Sequence, residues 1–149
     1  MRLVSPKLVE NCKCEPVILS EIDEIMKTAD KMFELMTAKN GIGLAAPQIG
    51  IFKRFFIIKN FSSPGYQLFI NPVISWKSEK TGKFKEGCMT YSTPGNKPEW
   101  WVRRPKSIMA SWWLSDGSGM RKKMSRLTAQ VFQHEFQHLD GITIKTNHS

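Results

Sequence analysis

Residues 125–141 read SRLTAQVFQHEFQHLDG, and the placement of every other functional residue follows from this stretch. Leu127, Ala129, Val131, Phe132, Phe136 and Leu139 recur at helical spacing, Ser125 is a candidate N-cap and Gly141 a stop signal. Leu127, Val131, His134 and His138 share one stripe, while Phe132, Phe136 and Leu139 cover another. A helix that is apolar on most sides is buried. Inside it, His134-Glu135-Phe136-Gln137-His138 forms an H-E-x-x-H run. Residues four apart lie on one helix face, so both imidazoles can grip one metal ion, with Glu135 beside it to take a proton from water. Two histidines and a glutamate in such a helix need partners, because an unpaired buried charge is costly. The competing reading is a pair of hydrogen-bonded core histidines with a glutamate facing solvent.

Catalytic sites of this kind usually hold three protein ligands and leave one position open. A third histidine at the usual downstream spacing would fall at position 144, where Ile144 stands, and no glutamate follows Glu135. The remaining histidine, His148, lies in a polar tail. The third ligand is therefore expected upstream, as a Cys, Asp or Glu. Cys88 is the best candidate. It sits in Lys85-Glu86-Gly87-Cys88-Met89-Thr90, after a strand-like run and beside a glycine that permits close backbone approach. A thiolate is a strong ligand for zinc or iron(II), although the usual fate of a free cysteine is to be a small buried apolar residue. Cys12 and Cys14, a C-x-C pair in a polar N-terminal segment, are weaker candidates. An odd cysteine count and no visible signal peptide argue against disulfides.

The 149 residues predict one catalytic domain over 1–149, long enough for a proper core and free of internal repeats. No run approaches the apolar length of a membrane span. A first helix is predicted over 21–39, capped by Ser20, with Ile22, Ile25, Met26, Ala29, Met32, Phe33 and Met36 on its apolar spacing and Asn40-Gly41 at its end. Strands are expected at 54–58, 67–71 and 73–76, with turns at Ser62-Ser63-Pro64-Gly65 and around Pro72. Two more, at 107–114 and 120–124, are joined through Asp116-Gly117-Ser118-Gly119, and residues 93–98 read as an irregular loop. This pattern predicts an α+β fold, with antiparallel or mixed sheets packed around the central H-E-x-x-H helix and an N-terminal helix in addition.

Three stretches now resemble one family. Gly41-Ile42-Gly43-Leu44-Ala45-Ala46-Pro47-Gln48, Glu86-Gly87-Cys88 and Gln133-His134-Glu135-Phe136-Gln137-His138-Leu139-Asp140-Gly141 are similar to the signature motifs of peptide deformylases, in the family's order and spacing. The resemblance implies an enzyme that removes the formyl group from the initiator formylmethionine of nascent polypeptides. It implies Cys88, His134 and His138 as metal ligands, with Glu135 as general base and then acid. The Gln48 side-chain amide and the Met89 backbone N–H become the oxyanion donors, and Ile42 and Gly43 lie along the substrate backbone. Phe84, Leu127 and Val131 match positions lining the methionine pocket, a role compatible with ordinary core packing. One divalent ion per chain is implied, iron(II) as the expected ion, with zinc, nickel or cobalt able to take the same ligands.

The chain departs from the family pattern in three places. Gln137 stands where an aspartate is usual, and Arg104 is the suggested positive partner at that position. Met89-Thr90 replaces the commoner Leu-Ser. Longer bacterial members continue into a C-terminal helix linked to ribosome docking, whereas only residues 142–149 follow the third motif here. The resemblance is thus to a short, bacteriophage-type or organellar-like variant, expected as a monomer in a bacterial cytoplasm. The net charge of +9 favours acidic partners, and Lys77, Lys80, Lys83 and Lys85 form one basic run and Arg121, Lys122, Lys123 and Arg126 another. Each run alone reads as a solvated face, and contact with ribosomal RNA is the functional alternative. Trp100-Trp101 and Trp112-Trp113 alternate across strand faces, so core or pocket rim outranks base stacking. A second reading from another class is a catalytically silent deformylase-like module that binds ribosomes or RNA.

Overall fold

The computed structural model describes residues 1–147, so the expectation for His148 in a polar tail falls outside the described residues, while Thr143 and Ile144 before it are buried. In chain order the elements are α1 (Pro6–Glu10), α2 (Ile22–Ala38), β1 (Gly43–Ala45), β2 (Phe55–Lys59), β3 (Tyr66–Lys77), β4 (Thr81–Gly87), β5 (Glu99–Pro105), β6 (Ser107–Trp113), β7 (Gly119–Ser125) and α3 (Arg126–His138). Five strands form one sheet in the order β1-β2-β3-β6-β7, and β4 with β5 forms a second. All these strand pairings are antiparallel, as the α+β reading predicted in its simpler form. No described helix is long and apolar enough to cross a membrane.

Alternation along β2 explains the layering. Phe56 and Ile58 face α3 and join Phe69, Ile108, Ala110 and Trp112 around Ala129, Val131, Phe132 and Leu139. Phe55 and Ile57 face the opposite way, where Ile22, Ile25, Ala29, Met32 and Met36 of α2 cover them. Strand side chains alternate between faces, so one five-residue run supplies both cores. Phe132 is the hub of the first: its ring lies edge-on to Phe56 at 5.0 Å and to Phe69 at 5.2 Å. The tryptophans split as alternation requires, with Trp112 buried and Trp101 exposed.

Several boundaries differ from the sequence reading. The turn expected at Pro72 is a bulge inside one continuous strand β3, with a register shift between Ile70 and Val73. Asn71 takes the left-handed conformation there (φ 49), and its side-chain amide pairs with both the N–H and C=O of Val17. That local pairing lets the strand pass a proline without ending. Ser20 does not cap α2: it lies in a 3-10 turn, Leu19–Glu21, where the Glu21 carboxylate accepts from the Ile18 N–H. Ser125 occupies the N-cap of α3 but makes no side-chain capping bond. The stop at Asn40-Gly41 is real: Asn40 is left-handed (φ 56) and Gly41 N–H reaches the Met36 carbonyl at 2.9 Å, a Schellman-type closure.

Truncating Phe132→Ala removes the ring on which both sheet aromatics rest. The expected loss is about 3–5 kcal/mol of unfolding free energy, read from urea midpoints at constant m-value.

Candidate functional site

β4 ends at Gly87, and Cys88 follows in extended conformation as the residue before a 3-10 turn, Met89–Tyr91. This aims the Cys88 thiol at α3, whose buried side presents His138 and, one turn earlier, His134. Cys88 Sγ lies 3.5 Å from His138 Nε2, and the two Nε2 atoms are 3.2 Å apart; all three atoms fall within 4.8 Å of one another. A tetrahedral ion with bonds of about 2.0–2.1 Å to nitrogen and about 2.3 Å to sulfur sets its ligands about 3.3–3.6 Å apart. The donor set fits a zinc- or iron-type divalent ion in chemistry, and the Cys88–His138 and His134–His138 separations are close to those spacings.

Glu135 is buried, and its Oε1 has no hydrogen-bond partner among the described residues, as is also true of His138 Nδ1. Glu135 lines a cavity, and a buried polar atom left without a protein partner calls for an explanation. The other oxygen lies against β1: a methyl group built on Gly43 would come 2.5 Å from Glu135 Oε2. Glycine at 43 is therefore required by close approach rather than by backbone angle.

Behind the donor atoms stands a polar network. Glu86 Oε1 is 2.9 Å from His134 Nδ1, Arg104 donates from Nε and Nη2 to the two Glu86 oxygens at 2.7 and 2.8 Å, and Gln130 Nε2 donates to Oε2 at 3.0 Å. Arg104 Nη1 also donates to Gln137 Oε1 at 2.9 Å, so the expected partner of Gln137 is the observed one. Burial alone would raise the Glu86 pKa, but hydrogen bonds from Arg104 and His134 outweigh it and hold the carboxylate at about 2. Burial disfavours a charged His134, yet the neighbouring Glu135 carboxylate and the hydrogen bonds to Cys88 and Glu86 prevail and raise it to about 10. His138 is held well below its ordinary value by burial and by the positive charges of His134 and Arg104. Burial pushes Glu135 up to about 7, with His134 opposing and Glu86 reinforcing. A cation held at His134 Nε2 would compete with a proton for that atom, so metal binding there would be pH-dependent.

Gln48 sits in the 3-10 turn Ala46–Ile49 and is almost fully buried. Its Oε1 accepts from the Ala45 N–H at 2.8 Å, which turns Nε2 towards Thr90 Oγ1 (3.0 Å) and Cys88 Sγ (3.5 Å). Met89 opens its 3-10 turn, where a backbone N–H has no intrahelical carbonyl to reach. Ile42, Gly43, Leu127 and Val131 line a cavity of about 810 Å³ together with Gln48, Cys88, Met89, His134 and Glu135. Phe84 is not among the lining residues; it points to the same face of β4 as Glu86, opposite Val102 and near Gly82. Cys12 and Cys14 stand apart from the donor set, at the C-terminal end of α3. Gln130, Thr90 and the roles of Glu86 and of Arg104 as its partner are what spacing did not reveal. For Glu86 a signal existed: it is the one acid in a strand whose neighbours Lys83 and Lys85 occupy the other face.

The polypeptide deformylase family model matches residues 4–148. The peptide deformylase of Fusobacterium nucleatum is 40% identical over 127 residues, covering 85% of this chain and 70% of the relative. Among solved structures, peptide deformylase from Thermotoga maritima superposes with a TM-score of 0.90 at 31% identity, covering 99% of this chain and 97% of that one. A probable peptide deformylase from synechococcus phage S-SSM7 gives a TM-score of 0.87 at 36% identity, with 99% of both chains covered. The chain belongs to the polypeptide deformylase family.

Substituting Glu86→Gln strands Arg104 in a buried site, at an expected cost of about 3–5 kcal/mol near pH 7. Glu86 is depressed in the folded state, so its contribution is present above the unfolded value of 4.5 and is lost as pH falls towards about 2. Urea titrations of metal-stripped wild type and variant from pH 7 to pH 2.5 should therefore converge at the acid end; a constant gap would refute the assignment.

Proposed function

We propose that this member of the polypeptide deformylase family hydrolyses the formamide bond of formylmethionine at the start of nascent chains, using a divalent ion held by Cys88, His134 and His138. The observation that carries the reading is the convergence of one sulfur and two Nε2 atoms beside a buried, unpartnered carboxylate oxygen, inside a cavity bordered by an open strand edge. When bound, such an ion supplies Lewis acidity and brings the pKa of water to near neutrality.

The protein's own groups do the rest. Glu135 takes the proton from the attacking water and returns it to the departing amine as the C–N bond breaks, giving formate and a free methionine amine. A carboxyl held near neutrality by burial is matched to both tasks, and a nearby cation would favour its ionised form. Gln48 Nε2, oriented through Ala45, and the Met89 N–H are the proposed donors to the developing oxyanion, with Thr90 and Cys88 as the ground-state partners of the Gln48 amide. β1 is the free edge of the five-stranded sheet, and Ile42 and Gly43 beside it line the cavity, so an extended peptide can add there as a strand. Leu127 and Val131 supply apolar wall for the methionine side chain, and iron(II) is the proposed ion. Ribosomal RNA is the proposed anionic neighbour of the exposed cations on β4, β5 and β7, through salt-sensitive contacts.

With metal content measured on anaerobically purified protein, Glu135→Gln should lower kcat on formyl-Met peptides by about 10²–10⁴ at unchanged occupancy. Gln48→Ala should cost about 10²–10³ in kcat with KM little changed. Metal-replete wild type that is inert towards formyl peptides would instead support the silent-module reading.

A further inference from the structure

The charges lining the cavity are unevenly distributed. Its carboxylates are Glu86, Glu99 and Glu135, of which Glu86 and Glu135 are buried, and Glu86 is already engaged by Arg104 and His134. The solvent-facing charged residues of the lining are Lys39, Lys85, Lys97 and Glu99, three cations against one anion. The lysines come from separate parts of the wall. Lys39 follows α2 just before the Ile42–Gly43 edge, Lys85 is on the outward face of β4, and Lys97 is in the loop leading to β5. None of the three forms an ion pair among the described residues; Lys85 has only the Trp101 ring, 6.0 Å from its Nζ.

We propose that Lys39, Lys85 and Lys97 form a cationic rim that selects formyl-methionyl chains with acidic side chains just downstream of the methionine. The inference rests on the deformylase reading of the same cavity and adds the substrate class it prefers. Formylation leaves the substrate's first nitrogen uncharged, so the downstream side chains are the charges that the rim meets. A strand added at Gly43 advances about 3.3 Å per residue, which carries the second to fourth residues away from the buried donor atoms and out to the exposed rim. Unpaired cations around a concave, low-dielectric wall focus the field onto an entering anion and repel an entering cation. The rim touches no reacting atom, so the selection falls on KM and association rather than on kcat.

The test is kcat/KM of the metal-loaded enzyme on three peptides, formyl-Met-Ala followed by two glutamates, two glutamines or two lysines. At about 20 mM salt the Glu peptide should exceed the Lys peptide by about tenfold, mostly through KM, and the ratio should approach one at about 0.5 M salt as screening tightens. The combined variant Lys39→Gln, Lys85→Gln, Lys97→Gln should bring the low-salt ratio close to one, while Lys122→Glu on the distant strand β7 should preserve it. Wild type that hydrolyses the Gln peptide but shows a Glu-to-Lys ratio of one or less overturns the rim and leaves the deformylase reading standing. A ratio that survives the triple substitution also overturns it. No turnover of any of the three peptides overturns both.

Discussion

One buried carboxylate, Glu86, ties the small sheet to the helix that carries the histidines. Its two oxygens accept from Arg104 on β5, from Gln130 on α3 and face His134 Nδ1 on α3, all between 2.7 and 3.0 Å. With Nδ1 committed to a carboxylate, the His134 ring turns Nε2 towards Cys88 and His138, an orientation in which a bound metal would leave the Nδ1 proton to Glu86. The pair Glu86–Arg104 is itself nearly fully buried, so neither member can be lost without leaving the other unpaired. Arg104 then reaches Gln137, whose amide accepts one hydrogen bond without adding a second negative charge to the network.

The far end of the same helix is secured by the N-terminal segment. Cys12 Sγ donates to the His138 carbonyl at 3.1 Å, Cys14 N–H to the Leu139 carbonyl at 2.9 Å, and Arg54 pairs with Asp140 at 2.9 Å. The last carbonyls of a helix have no partners within it, and these contacts add to the bonds that the Asp140, Gly141 and Ile142 N–H groups make to the Gln137 and His138 carbonyls. Gly141 is left-handed (φ 73), and a side chain there would come 2.7 Å from the Cys12 carbonyl. The C-x-C pair thus acts through backbone and thiol hydrogen bonds; burial pushes Cys14 up to about 12, where a thiol stays protonated and inert.

Helical periodicity made α2 and α3 legible, and the eliminations around His134 and His138 pointed upstream to Cys88, because both depend on local spacing or on the small number of candidate ligands. What was not legible depends on pairing between distant segments. The strand-like run before Cys88 and the alternation at Trp100-Trp101 were visible, but the pairing of β4 with β5 across a loop of more than ten residues was not. β1 is only three residues long and lies in a glycine-containing motif that reads as loop. The bulge at Asn71 and Pro72 imitates a turn in sequence, since its stability comes from Val17, 54 residues away. Glu86 was visible as part of a motif, but its partners on β5 and α3 emerge only when the small sheet folds onto the helix.

The two edges of the five-stranded sheet are treated in opposite ways, and this bears on where a peptide can bind. At β7 the exposed run Arg121-Lys122-Lys123 places like charges along the edge, a device that discourages another strand from pairing there. At β1 the edge carries no such charge, is flanked by Ile42 and opens into the cavity. Gly43 lets the β1 backbone pass so close to Glu135 that any side chain would displace the carboxylate. Strand addition at β1 therefore brings the added chain alongside Glu135, whereas addition at β7 would lead nowhere near it. The same edge chemistry that discourages pairing at β7 leaves the β1 edge uncharged, and in the proposed function it is along this edge that a peptide would approach the donor atoms of Cys88, His134 and His138.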